Sequence, residues 1–346
     1  MMTNQLNIVT QEEPEARFLA QSLEKASFPN NLENLRGKRV IFKHDFSKEC
    51  LPLQPLRKSS RIEFFREIRE FSPHPKEREI AAIDSSCVLV GETEEGAIYS
   101  GRVTAVRAFG RKIKTYIRFG PAIFYLEPNS MFPSLPSRLS RKIINILLLD
   151  KGLAEKFIRT QLERWLQFEL SGELTQGIIL IDGGLRSSDL ESREFSLSEI
   201  ERRSEENSNQ ILGISKSTNL RLISSYALEL DFCRSGGVYL DITDSLKMIL
   251  PKLHCRVLVA KLSANAPAFR VDCARSNLED DSQVLSDLKH NDVIYRGYPE
   301  TLRLAHHLST LDISTVNSIR AYLSRKYEMT AVPNDDLRAT VLGKLL

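Results

Sequence analysis

The chain is short of the features that define several protein classes. It has one tryptophan and five cysteines in 346 residues. The cysteines, at 50, 87, 233, 255 and 273, are odd in number and never spaced C-x-x-C, which excludes a cysteine zinc site and a disulfide frame and predicts reduced thiols. No apolar run approaches the ~20 residues of a membrane-spanning helix; the densest stretch is Ile143, Ile144 and Ile146 to Leu149. The first residues carry Glu12, Glu13, Glu15 and Arg17 and no basic region running into an apolar one, so no secretory leader is expected and the expected location is cytoplasmic. Excess charge of one sign is also missing. Lysine and arginine number 48 against 45 acidic residues, a balance of +3 that alone indicates neither a nucleic acid nor a membrane partner. Repeats and low-complexity tracts are lacking too.

What remains is an ordinary globular composition, 42% apolar and 27% charged, in a chain long enough for about two domains or one large one with helical additions. Helical spacing marks Glu12 to Lys25 and Arg61 to Phe71, with a short strand at Arg39 to Phe42 between them. Ser72-Pro-His-Pro75 breaks the chain and sets a boundary near residue 75, because each proline biases its predecessor away from helix. From Ile80 the texture turns to strand. Ile80 to Val90, Ala97 to Phe109 and Lys112 to Leu126 are separated by glycine-bearing turns and predict an antiparallel meander.

Prolines 128, 133 and 136 then lead into helices at Leu139 to Leu149 and Leu153 to Leu170. Beyond these, strands at 177–182, 210–215, 238–242, 256–262 and 268–271 alternate with helices at 197–207, 220–230, 299–311 and 315–327. The alternation predicts an α/β layer structure with parallel strands.

Two segments share one design. Ile80-Ala-Ala-Ile-Asp84-Ser-Ser and Gly177-Ile-Ile-Leu-Ile-Asp182-Gly-Gly are apolar strands that deliver an aspartate toward the carboxyl end. A buried strand holds such a side chain rigidly, as a metal-binding carboxylate requires. Singly each has an ordinary explanation: Asp-Gly is a common turn pair. Asp84 is harder to dismiss, because apolar strand continues to Val90 and a charge inside it needs partners or a cation. The helix between them carries Glu163, with Glu169 on the same helix as the alternative. One helical and two strand-borne carboxylates suit a two-cation phosphodiester site, an order resembling ribonuclease H-like nucleases.

Near the carboxyl end, Arg296-Gly-Tyr298-Pro299 opens a helix on which Leu302 and His306 share a face, so His306 is expected to point inward and His307 outward. Neutral imidazole on such a face is either a satisfied core residue or a ligand.

Together these segments resemble the NurA nuclease family. The resemblance runs from about Arg78 to Tyr327 through Ala82-Ile-Asp84-Ser-Ser, Leu162-Glu163-Arg, Leu180-Ile-Asp182-Gly-Gly-Leu185, Leu212-Gly-Ile-Ser-Lys216-Ser, Ala260-Lys-Leu-Ser, Ala268-Phe-Arg270-Val-Asp272 and Gly297-Tyr-Pro299 to Ala305-His306. It implies an α/β fold with an RNase H-like mixed sheet flanked by helices, with additional N-terminal and C-terminal helices. The implied organisation is an N-terminal region over 1–75, a nuclease domain over 76–330 and a tail over 331–346.

The resemblance further implies manganese-dependent DNA hydrolysis (Mn²⁺ or Mg²⁺), 5′-to-3′ exonuclease and single-strand endonuclease action, a homodimer, and a HerA-type hexameric ATPase as partner in DNA-end repair. Carried over by residue, it makes Asp84, Asp182 and Glu163 metal ligands and sets Tyr298 and His306, eight residues apart, near the site. In the mechanism expected from this set His306 completes the coordination or assists proton transfer and Tyr298 and Lys216 position the DNA backbone, an ordinary surface lysine being the alternative for Lys216. The family more often has Asp-Gly-Ser at both aspartates; here Ser85 and Gly184 depart from it.

Arg107, Arg111, Lys112, Lys114 and Arg118 offer a phosphate path or a solvated strand face. A non-catalytic DNA-end-binding subunit of the same fold is the rival reading. A nucleotide-driven enzyme is not, because Gly91 to Gly96 has Ala97 where a phosphate loop has lysine, and three glutamates that repel phosphate.

Overall fold

The computed structural model describes residues 32–42, 67–127, 146, 147, 149–187, 191, 195–216, 221–233, 235–250 and 253–331. In chain order these form β1 (Arg39–Phe42), β2 (Arg69–Glu70), β3 (Glu79–Glu92), β4 (Ala97–Phe109), β5 (Lys112–Leu126), α1 (Lys151–Glu173), β6 (Ile178–Asp182), α2 (Leu197–Glu206), β7 (Gln210–Ser215), α3 (Arg221–Asp231), β8 (Val238–Asp241), α4 (Thr243–Ile249), β9 (Arg256–Lys261) and β10 (Phe269–Cys273). The remainder are α5 (Asp281–Asn291), β11 (Ile294–Tyr295), β12 (Tyr298–Pro299), α6 (Glu300–Ser309), α7 (Ile313–Lys326) and β13 (Thr330–Ala331).

One mixed sheet organises them, in the order β13-β1-β3-β6-β7-β10-β9-β8-β2, with β4 and β5 continuing from β3. Strands β3, β6 and β7 run parallel, whereas β7 to β10 and the β3-β4-β5 meander are antiparallel. Helices cover both faces of the parallel centre, which is why Ile80 to Ile83 and Ile178 to Ile181 are apolar without alternation. Ala81, Ile83, Ile179 and Ile181 pack against Phe157, Leu162, Leu166 and Leu170 of α1. Ile80, Ala82, Ile178 and Leu180 pack against Val284, Leu285 and Leu288 of α5 and Leu302 of α6. A third cluster joins Ile319 and Leu323 of α7 to Val40, Val90 and Ile98. The mixed sheet flanked by helices thus agrees with expectation, as do the helices near the carboxyl end.

The expected helices over 12–25 and 139–145, together with Cys50, lie outside the described residues. So does 61–66 of the third, and its carboxyl end is corrected: Arg69 and Glu70 are a strand pairing with Tyr239 and Val238. Cys87, Cys233, Cys255 and Cys273 are free thiols. Among the described residues no helix is long and apolar enough to cross a membrane. Two residues of the basic stretch are engaged within the fold, Arg107 pairing with Glu79 at 2.6 Å and Arg111 donating Nε to the His290 carbonyl at 3.0 Å, while Lys112 and Lys114 are exposed.

The entry to α6 carries a titration. Asp292 is buried, and its carboxylate accepts from the amide and hydroxyl of Thr301 in the first turn. Burial pushes its carboxyl up to about 6, against the pull of those bonds. A carboxyl whose folded pKa exceeds its unfolded value adds stability below about pH 4 that is lost as pH rises toward 6. Asp292→Asn, which stays neutral, is therefore expected to be more stable than the parent at pH 7.5, by at most about 3 kcal/mol. The gap closes below pH 4 in paired pH-dependent denaturation curves.

Candidate metal centre at the end of the parallel strands

Strand pairing builds the site. Ile83 of β3 lies beside Ile181 of β6 on the last rung the two strands share. The next residue on each chain is an aspartate, so Asp84 and Asp182 stand on neighbouring strands about 4.8 Å apart, with side chains on the face that α5 and α6 cover. Beyond this rung β6 ends while β3 continues to Glu92, leaving an opening beside Asp84.

The turn after β6 is tightly held. Gly183 takes φ 112°, a region closed to ordinary side chains, and its amide bonds the Ile214 carbonyl at 2.8 Å. A Cβ at Gly184 would come within 2.9 Å of Asp272 Oδ2. That oxygen cannot yield, being held by Arg270 Nη2 at 2.7 Å and the Leu185 amide at 3.0 Å. Glycine rather than serine at 184 follows from that contact.

Asp84 is 1% exposed. Its Oδ1 accepts from the Ser85 amide at 2.8 Å, and its Oδ2 lies 2.7 Å from His306 Nδ1. Asp182 Oδ1 accepts from Tyr298 Oη at 3.1 Å, and Oδ2 from Lys216 Nζ at 2.9 Å. The Lys216 ammonium also lies 5.3 Å from the centre of the Tyr298 ring, which packs edge-on to Phe269 at 5.4 Å. Burial and the Asp182 charge push the Tyr298 phenol well above its ordinary range.

Asp84, Asp182 and His306 each offer a ligand atom, all within 4.8 Å of one another. Two hard carboxylate oxygens and one imidazole, with no thiolate, suit Mn²⁺ or Mg²⁺ better than a structural zinc.

Glu163 does not join that group at this spacing. It rises from α1 on the opposite face, where its carboxylate accepts from the Ser85 hydroxyl, and Arg159 Nη2 lies 3.6 Å from it and 3.9 Å from Asp84 Oδ1. Burial pushes the Glu163 carboxyl up, opposed by Arg159 and Ser85. Of Glu163 and Glu169, the two candidates on this helix, Glu163 is the one that bonds the Ser85 hydroxyl.

His306 differs from expectation in one respect. Its side chain is 53% exposed, lying at the rim over Asp84 rather than in the core. Reading the sequence missed Ser85 and Arg159 as site residues. Ser85 adjoins the first aspartate; Arg159 stands one helical turn before Glu163, a spacing that faces one side chain toward the other.

Residues 78–310 match the model of the NurA domain. The chain belongs to the NurA domain family. Membership makes it a nuclease. The matched span contains every residue of the centre, from Asp84 to His306.

Among solved structures, the NurA nuclease from Sulfolobus solfataricus is 16% identical, over 76% of this chain and 87% of that one, with a TM-score of 0.47. A NurA bound to dAMP and manganese is 11% identical, over 77% of this chain and 91% of that one, with a TM-score of 0.46. An endonuclease V from Bacillus subtilis is 13% identical, over 74% and 88%, at 0.34. No curated protein matches the chain in sequence.

Proposed function

We propose that this NurA-family chain hydrolyses single-stranded DNA, with one or two Mn²⁺ or Mg²⁺ ions held by Asp84, Asp182 and His306 and with Glu163 completing the acidic set. The observation that carries the reading is the convergence of the first three residues within 4.8 Å at the open end of two parallel strands. The donors present fit such an ion. A bound divalent cation supplies Lewis acidity toward a phosphoryl oxygen and lowers the pKa of a coordinated water.

The side chains supply the rest. With Asp84 as a hydrogen-bond acceptor, His306 Nδ1 carries the proton between them, and Nε2 is left either to hold the cation or, where it does not, to take up or give a proton. Tyr298, kept protonated by its burial, donates to Asp182 and fixes that carboxylate's orientation. Lys216, partly exposed on the other Asp182 oxygen, is placed to exchange that partner for a backbone phosphate. Arg159 offsets the charge shared by Asp84 and Glu163.

The finer parts of the reading rest on the family resemblance: 5′-to-3′ exonuclease and single-strand endonuclease action, a homodimer, and work beside a HerA-type hexameric ATPase in DNA-end processing. The division into 1–75, 76–330 and 331–346 stands on the same ground.

The test uses the purified full chain, a 5′-labelled linear single strand and a circular single strand. With Mn²⁺ both are expected to be degraded, with EDTA neither, and excess Mn²⁺ restores cleavage. DNA that is bound but left intact with Mn²⁺ and Mg²⁺ alike would make the chain an end-binding subunit and overturn the reading.

A further inference from the structure

Beside the centre lies a short hairpin that the reaction as described does not use in full. Ile294 and Tyr295 pair with Pro299 and Tyr298 across a two-residue turn, Arg296 and Gly297, at φ 50° and 81°. Both positive values are those of a type I′ turn, the tightest connection two strands allow. The turn is seated firmly: a Cβ on Gly297 would come within 2.9 Å of Ala266 Cβ and 3.0 Å of the Pro267 carbonyl. Tyr298 spends its phenol on Asp182. Its pairing partner Tyr295 is half exposed, although directly opposed residues of such a pair stand only about 5.5 Å apart at Cα.

Two cations flank the Tyr295 ring. The Arg296 guanidinium lies 5.4 Å and the Arg303 guanidinium 5.5 Å from its centre. Arg303 is oriented by Glu300, to which it donates Nε at 2.6 Å and also Nη2. On α6 it precedes His306 by three residues, so it lies on the turn of helix that leads to the site. An aromatic ring with two guanidinium groups beside it, directly across the hairpin from the residue that orients a ligand carboxylate, matches what an unpaired base and its phosphates require.

We propose that Tyr295, with Arg296 and Arg303, is a stacking subsite for a nucleobase of single-stranded DNA next to the scissile phosphate. The proposal rests on the reading of the site as a DNA nuclease and adds to it the part that grips the strand. Base stacking accepts every base, so the subsite favours unpaired over duplex DNA without sequence preference. Duplex bases, already stacked on one another, cannot reach the ring.

The experiment measures fluorescence anisotropy of a labelled oligodeoxythymidylate and of an abasic oligomer of equal length, with the full chain in EDTA so that nothing is cut. Tyr295→Ala is expected to weaken oligodeoxythymidylate binding about 5- to 100-fold, as loss of one stacked base does. Tyr295→Trp, which keeps an aromatic face, binds at least as well as the parent, and the abasic oligomer does not discriminate among the three. Circular dichroism of the variants confirms the fold.

Equal affinity of Tyr295→Ala and parent for oligodeoxythymidylate overturns the subsite, as does an equal loss on the abasic oligomer. Cleavage of DNA by the parent in Mn²⁺ is scored separately. A parent that cuts while Tyr295→Ala binds normally removes only the subsite. A parent that never cuts while Tyr295→Ala binds weakly removes only the catalytic reading.

Discussion

Asp84→Asn is expected to lose DNA cleavage by on the order of a thousandfold or more while its fold remains intact. The substitution keeps the shape: the amide oxygen still accepts from the Ser85 amide, and the amide nitrogen donates to His306 Nδ1 once the imidazole takes its other tautomer. What disappears is one negative charge at a position 1% exposed, where a cation is the natural counter-charge. Without metal the variant is expected to be as stable as the parent or more so, because a buried ionised carboxylate costs stability that its neutral isostere does not. Mn²⁺ raises the melting temperature of the parent through binding to the folded state alone, and this shift is lost in the variant. Three measurements check the claim: cleavage rate, melting temperature in EDTA, and the shift on adding Mn²⁺. A variant that keeps the parent's cleavage rate removes Asp84 from the chemistry.

That experiment was suggested by sequence, and its geometry was not. The aspartates were legible because both end apolar runs that have to be strands, and the bounds of β4, β5 and β7 agree with the periodicity to the residue. Their adjacency was not legible, since it depends on β3 and β6 being neighbours with Ile83 opposite Ile181, a pairing made across almost a hundred residues.

Other misses have local causes. The sequence reading has no element at α5 because its inner face is not apolar throughout. Asp287 and Asn291 are buried there, bonded to Arg78 and to the Lys76 carbonyl, and they break the pattern that marks a helix. Helix α4, at seven residues, is too short for periodicity to show. His306 was legible as a site residue and misjudged in depth. Leu302, one turn earlier, does reach the core, but α6 ends at Ser309 and its last turn lies over the open end of the sheet.

The residues that shape the turn after Asp182 lie far off in the chain, and removing one of them is expected to have the largest effect on stability. Arg270 and Asp272 are both buried on β10, joined at 2.6 Å through Nε and 2.7 Å through Nη2. Burial pushes the Asp272 carboxyl up while Arg270 and the Leu185 amide hold it down. Arg270→Met leaves Asp272 without its counter-charge, a change expected to cost about 3–5 kcal/mol in denaturant unfolding at pH 8.

The sign of the pH dependence follows. With its partner gone, the carboxyl's folded pKa rises further above the unfolded value, so the variant recovers part of the loss as pH falls toward 4. Arg270→Met with Asp272→Asn has no buried charge to strand and still offers an oxygen to the Leu185 amide. It is expected to regain most of the stability. A double variant no more stable than the single one would show that lost packing, not charge, sets the cost. Because the same carboxylate oxygen abuts Gly184, the single variant also frees the turn that aims Asp182. Its cleavage rate should fall even at temperatures where it stays folded, and should recover in the double variant together with the stability.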